Sequence, residues 1–253
     1  MTKIINHYIE ILGTGVPIVF IHPPGMGHVV FKYQKELANK YQVILYDLQG
    51  HGKSDYSGDP LTIPTLSENL SHLLEQCKIE KAYICGYSNG GFVAQDFAIR
   101  YPNQTLGIIL CGGFSEVTTL LLKKQFEVGI WLAKNNLSLL ASLLSFSHKV
   151  VKEDLYEMKE YFLMNNQKAI ADLYTNGLQY SCTNKLEYIK APMLLIYGNK
   201  DYYIHSYQKI YQEKVPNLKT VYINNAFHQI PTKKAIPFNH AIDHFLKENT
   251  QDF

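Results

Sequence analysis

Cysteine is scarce and unpatterned in this 253-residue chain: Cys77, Cys85, Cys111 and Cys182 are its four, and no two stand in C-x-x-C spacing. No disulfide framework is implied, and free thiols in a reducing compartment are the plainer expectation. An excess of either charge is missing too. Lys and Arg number 24 against 22 Asp and Glu, a net charge of +2 that gives no electrostatic case for nucleic acid as a partner. Pairs such as Lys123-Lys124 and Lys233-Lys234 read as solvated helix faces. The apolar stretches are too short, or too interrupted by Lys, Asn and Ser, to cross a bilayer. Met1 to His7 shows neither a long apolar segment nor a small-residue cleavage site, so no secretory signal is expected. With no repeat or low-complexity tract either, the expectation is a soluble cytoplasmic protein. What the chain does have is 46% hydrophobic residues, enough to bury a large core.

Short apolar runs of β type alternate with amphipathic helical patterns. Ile4 to Leu12 reads as a hairpin-like pair, followed by strands at Ile18 to Ile21, Val43 to Tyr46, Ala82 to Cys85, Leu106 to Cys111, Met193 to Tyr197 and Thr220 to Ile223. Helical patterns fall at Phe31 to Asn39, Thr65 to Cys77, Asn89 to Tyr101, Ser206 to Val215 and Ala235 to Asn249. Uninterrupted apolar strands imply a sheet covered on both faces, and the alternation is the order of right-handed crossovers on a mostly parallel sheet. Residues 116–188 break it, with apolar positions at helical intervals such as Leu139, Leu140, Leu143 and Leu144. The expected architecture is therefore α/β, a mostly parallel central sheet with helices on both faces. Residues 1–115 and 189–253 form its core, and 116–188 form an inserted helical cap of three or more helices. For any single apolar residue of the insertion, packing is the default role.

The motif that carries chemistry is Gly86-Tyr87-Ser88-Asn89-Gly90-Gly91, at the end of one apolar run and the start of a helical pattern. A serine that projects from a sharp strand-to-helix turn needs neighbours without bulk, and Gly86 and Gly90 supply them. Asp201 follows another strand through Gly198-Asn199-Lys200, and His228 follows the last strand through Asn224 to Phe227. In an open α/β sheet, chemistry gathers at the carboxyl ends of the strands. A neutral serine hydroxyl is a weak nucleophile; it needs an imidazole to take its proton and a carboxylate to fix that imidazole. Ser88, His228 and Asp201 are the candidates for these parts. Asp47, Asp55 and Asp96 are weaker rivals, and Glu116, after the fourth strand, is an alternative place for the acid.

Together with I-V-F-I-H-P-P-G at 18–25, D-L-Q-G-H-G-K-S at 47–54, L-L-I-Y-G-N-K-D at 194–201 and N-A-F-H at 225–228, the serine motif resembles the α/β-hydrolase superfamily over nearly the whole chain. The resemblance points to its capped, esterase-like serine hydrolase branch. It implies Ser88 as nucleophile, Asp201 as acid, His228 as base, a helical cap over the site and no cofactor. Asp47, Gly50, Gly52 and Ser54 resemble the family's structural loop. Haloalkane dehalogenases and epoxide hydrolases of the superfamily carry aspartate at the elbow, so serine here points to an ester, thioester, lactone, amide or activated carbon–carbon bond.

One feature departs from the family's pattern. The amide of Asn89, at a helix start, is the expected first donor to an oxyanion. The second normally comes two residues after the histidine of an H-G-x loop, and here that position is Pro24, which has no N–H. Gly25 or Met26 must substitute, or the oxyanion site is weakened by about 3 kcal/mol. His22 and His51 are expected to make structural hydrogen bonds, and His240 and His244 to lie on a solvated helix face, so no metal site is expected. The favoured function that the resemblance implies is a serine esterase-like hydrolase cleaving an ester, thioester or lactone of a small-molecule substrate through an acyl-serine intermediate. The alternatives are a carbon–carbon bond hydrolase of ring-fission ketones and a triad-bearing, ligand-binding signalling protein with little turnover.

Overall fold

In the computed structural model, which describes residues 5–250, seven strands form one sheet. They are β1 (Ile9–Leu12), β2 (Pro17–Ile21), β3 (Gln42–Tyr46), β4 (Ala82–Tyr87), β5 (Thr105–Cys111), β6 (Met193–Gly198) and β7 (Leu218–Ile223), in the order β1-β3-β2-β4-β5-β6-β7. Every pairing from β3 through β7 is parallel, and only β1 runs antiparallel, against β3.

Ile4 lies outside the described residues, and the rest of the expected hairpin is corrected. Ile9–Leu12 is a single strand whose partner is β3, with Ile9 opposite Tyr46 and Leu12 opposite Val43. Sequence nearness suggested a local partner, but β2 is paired on both sides by the parallel strands β3 and β4. β1 is left to close the sheet edge on β3.

The side chains of the parallel strands alternate between two cores, as the two-residue period of a strand requires. Val19, Ile44, Ile84, Ile108 and Leu195 face α1 (Ile63–Gln76) and α2 (Gly90–Arg100). Phe20, Leu45, Cys85, Ile109 and Ile196 face the other side, where the 3₁₀ segment His28–Asn39 and the last long helix, residues 235–249, cover the sheet. Both faces are dry, so these strands read as continuous apolar runs. Thr62 begins α1 by accepting the Thr65 amide at 3.2 Å, with Pro64 in the first turn where no N–H is needed.

Between β5 and β6 the chain forms α3 (Leu120–Asn135), α4 (Leu137–His148), α5 (Lys152–Leu163) and α6 (Gln167–Gln179). After β6 come α7 (Tyr207–Lys214), β7, the short α8 (Ile230–Lys233) and α9 (Ala235–Asn249). Of the four inserted helices, α3, α4 and α6 contribute side chains to a cavity with Ser88, at the end of β4, in its wall. Among the described residues no helix is long and apolar enough to cross a membrane, and the four cysteines are unbridged.

Candidate active site

Ser88 sits at the turn from β4 into α2 with φ = +52°, a conformation that costs a non-glycine residue energy and that surrounding structure must impose. Its amide is held by the Cys111 carbonyl at 2.8 Å. The two flanking glycines are needed for space. A Cβ on Gly86 would fall 2.6 Å from the Gly91 Cα, and one on Gly90 would fall 2.3 Å from the Ile21 carbonyl oxygen.

The ends of β6 and β7 deliver the other two groups. The Lys200 amide donates to the Ala226 carbonyl at 2.9 Å, which ties the turn before Asp201 to the turn before His228. Gly198 permits this approach, since a Cβ there would meet the Ala226 oxygen at 2.4 Å. His228 Nδ1 is then 2.7 Å from Asp201 Oδ2, and His228 Nε2 is 2.8 Å from Ser88 Oγ. Asp201 is only 1% exposed, so its charge is not shared with bulk water. An imidazole held this way by a buried carboxylate can accept the serine proton as the oxygen attacks a carbonyl.

The rival acids are engaged elsewhere. Asp47 binds His28 and Tyr161, Asp96 accepts from the Tyr180 hydroxyl at 2.8 Å, and Glu116 accepts from Ser181 Oγ at 2.9 Å. Burial alone would raise the Asp47 carboxyl, but the His28 hydrogen bond, the neighbouring His22 and the Tyr161 hydroxyl together hold it well below the usual carboxylate range.

Of the candidate oxyanion donors, Asn89 lies at the start of α2 and lines the cavity. Met26 also lines it, while its amide closes a long 3.3 Å turn onto the Pro23 carbonyl. Gly25 lies under the Phe162 ring of α5, and its carbonyl accepts from Asn165 Nδ2 at 2.8 Å. His22 has a structural part. One ring nitrogen donates to the Pro23 carbonyl and Nε2 accepts the Leu48 amide, both at 2.9 Å. Burial pushes its pKa down to about 4, and that of His51 down to about 3. His240 and His244 are exposed on α9. Among the described residues no group of three or more His, Cys, Asp or Glu is placed to hold a metal.

The cavity has a volume of about 540 Å³ and a mostly apolar wall that includes Met26, Leu122, Phe126, Leu132, Leu140 and Tyr174. Three wall residues escaped the sequence reading. Tyr87 and Tyr203 place their rings 5.5 and 6.1 Å from the His228 ring, and the Tyr87 hydroxyl is 2.9 Å from His148 Nε2 on α4. Tyr87 was open to detection as the residue before the elbow serine. His148 carried no signal apart from its helical stripe.

With this geometry established, comparison with known proteins is decisive. The sequence profile of the family described as serine aminopeptidase, S33, matches residues 20–234. The chain belongs to this family of the α/β-hydrolase superfamily. The hydrolase is 28% identical over 197 residues to 3-oxoadipate enol-lactonase 1 of Acinetobacter baylyi, covering 73% of this chain and 71% of that protein. It is 24% identical over 254 residues to the pimeloyl-[acyl-carrier protein] methyl ester esterase of Aeromonas hydrophila, covering 94% and 98% respectively. In fold it resembles an esterase from Thermogutta terrifontis, with a TM-score of 0.84 and 22% identity over 97% of this chain and 94% of that one.

Proposed function

We propose that this protein is a serine hydrolase of carboxylesterase type that cleaves a small, largely apolar ester, thioester or lactone through an acyl-Ser88 intermediate. The observation that carries this reading is the continuous chain from Ser88 Oγ to His228 to Asp201, at 2.8 and 2.7 Å, with Ser88 and His228 in the wall of a mostly apolar cavity. Ser88 Oγ attacks the carbonyl carbon as His228 Nε2 takes its proton, and Asp201 stabilises the resulting imidazolium. His228 returns the proton to the departing alcohol, thiol or ring oxygen. Water then releases the acyl group by the same route.

The developing oxyanion is assigned to the Asn89 amide and to an amide of the Gly25-Met26 turn, since Pro24 has none to give. The insertion is read as a cap, because α3, α4 and α6 contribute Phe126, Leu140 and Tyr174 to the cavity wall. Relatives named as a lactonase and a methyl ester esterase support substrates of this class. Four free thiols accord with a reducing compartment such as the cytoplasm.

Hydrolysis of p-nitrophenyl esters from acetate to octanoate tests the reading. Ser88→Ala and His228→Ala are each expected to lower kcat/KM by at least about 10⁴-fold. A Ser88→Ala variant within tenfold of the parent would remove the serine from the mechanism.

A further inference from the structure

Half of the large apolar side chains that are exposed among the described residues lie between Leu120 and Val151. They are ordered. Leu121, Val128 and Trp131 recur at i, i+7 and i+10 along α3, and Leu139, Leu143 and Phe146 at i, i+4 and i+7 along α4, so each helix presents one apolar stripe outward. Trp131 and Phe146 are each 60% exposed, and α4 contains no Asp, Glu, Lys or Arg. Leu121, Val128 and Leu143 also line the cavity, so the outer stripes share side chains with the wall that holds Ser88.

Charge says what covers this face. Although the chain as a whole is nearly balanced, residues Leu120 to Lys149 hold Lys123, Lys124, Lys134 and Lys149 against one acid, Glu127. That acid is already paired with Lys124 at 2.6 Å. Lys149 Nζ lies 4.2 Å from the Phe146 ring centroid, a cation set at the border of the apolar stripe. Apolar stripes bordered by lysines match a surface that is apolar in depth and anionic at its rim. A second copy of the chain fits less well, because a two-fold contact would set this lysine-rich face against itself. At 16 and 12 residues, α3 and α4 are too short to span a bilayer but long enough to lie on one.

We infer that the outer face of α3 and α4 docks the protein on an anionic lipid surface, with the mouth of the cavity turned toward the bilayer. An apolar substrate dissolved in the lipid then reaches the cavity without crossing water. Docking does not depend on the chemistry assigned to Ser88, and its readout is binding.

Trp131 is the only tryptophan in the chain, so its emission reports on this face alone. The intact protein is titrated with vesicles of phosphatidylcholine, with and without phosphatidylglycerol, at low and high salt. A blue shift and co-sedimentation are expected with the anionic vesicles, weakened by salt. Lys134→Gln with Lys149→Gln is expected to weaken binding about 25-fold, at about fivefold per lysine. Leu139→Ser with Phe146→Ser is expected to abolish the shift and leave hydrolysis of a short soluble ester within twofold, which shows that the variant is folded. The inference is overturned by an unchanged Trp131 emission with anionic vesicles, or by binding indifferent to lipid charge. A doubled mass by light scattering with Trp131 buried in the absence of lipid would also overturn it, in favour of a second copy.

Discussion

Helix α5 and the turn that follows it reach the core through buried polar groups, whereas α3, α4 and α6 reach it chiefly through apolar side chains. In the first half Tyr161 donates to Asp47, Asn165 bridges the Gly52 amide at 2.7 Å and the Gly25 carbonyl at 2.8 Å, and Asp154 accepts from Lys32 at 2.9 Å and Tyr33 at 2.8 Å. Burial by itself would raise the Asp154 carboxyl. Hydrogen bonds from Lys32, from the Val150 and Val151 amides and from Tyr33 outweigh it and hold the pKa at about 2. In the second half Leu122, Phe126, Leu132 and Leu140 fill space without fixing direction. Directional bonds set the position of the turn that carries Gly25 and Met26, next to Ser88. Apolar packing sets only how much surface is covered.

The contrast is open to attack by mutation. Asp47→Ala is expected to cost most, about 3–5 kcal/mol in urea unfolding, because it strands the His28 ring, the Tyr161 hydroxyl and the Lys53 amide together. Leu139→Ser, on the open face, is the reference and should stay within about 0.5 kcal/mol. Similar losses in the two variants would erase the distinction between the halves.

His148 is the exception within the apolar half, and it sharpens the comparison. Its ring joins α4 to the Tyr87 hydroxyl, and burial pushes its pKa down to about 4. Between pH 6.5 and about 4 the unfolded chain binds a proton that the folded chain refuses, so stability falls as pH falls through this window. The slope is about 1.4 kcal/mol per pH unit for each such histidine. His148→Gln should remove one histidine's share, and His22 should keep its own. Equal slopes for parent and variant, measured by urea unfolding at pH 7 and pH 5, would show that His148 is not held neutral.

The central strands were legible because both sheet faces are buried there, which leaves apolar runs that no solvent-facing residue interrupts. The elbow was legible because steric crowding at Gly86 and Gly90 admits little but glycine, and Asp201 and His228 because each stands a few residues past such a run. The partner of β1 was not, since strand pairing across the sheet leaves no mark at short range. Asp47 showed only its own loop; its bond to Tyr161 spans 114 residues and exists only once the insertion folds back. A helical stripe gave Leu140 of the cavity wall and Leu139 of the outer face the same reading, because periodicity marks a face and not what the face meets.

Fluorophosphonate labelling of the native protein, followed by intact mass and peptide mapping, reaches the nucleophile most directly. One adduct per chain is expected, on Ser88, lost in Ser88→Ala and strongly slowed in His228→Ala. An unlabelled native chain, or an adduct on any other residue, would contradict the assignment of Ser88 as the nucleophile.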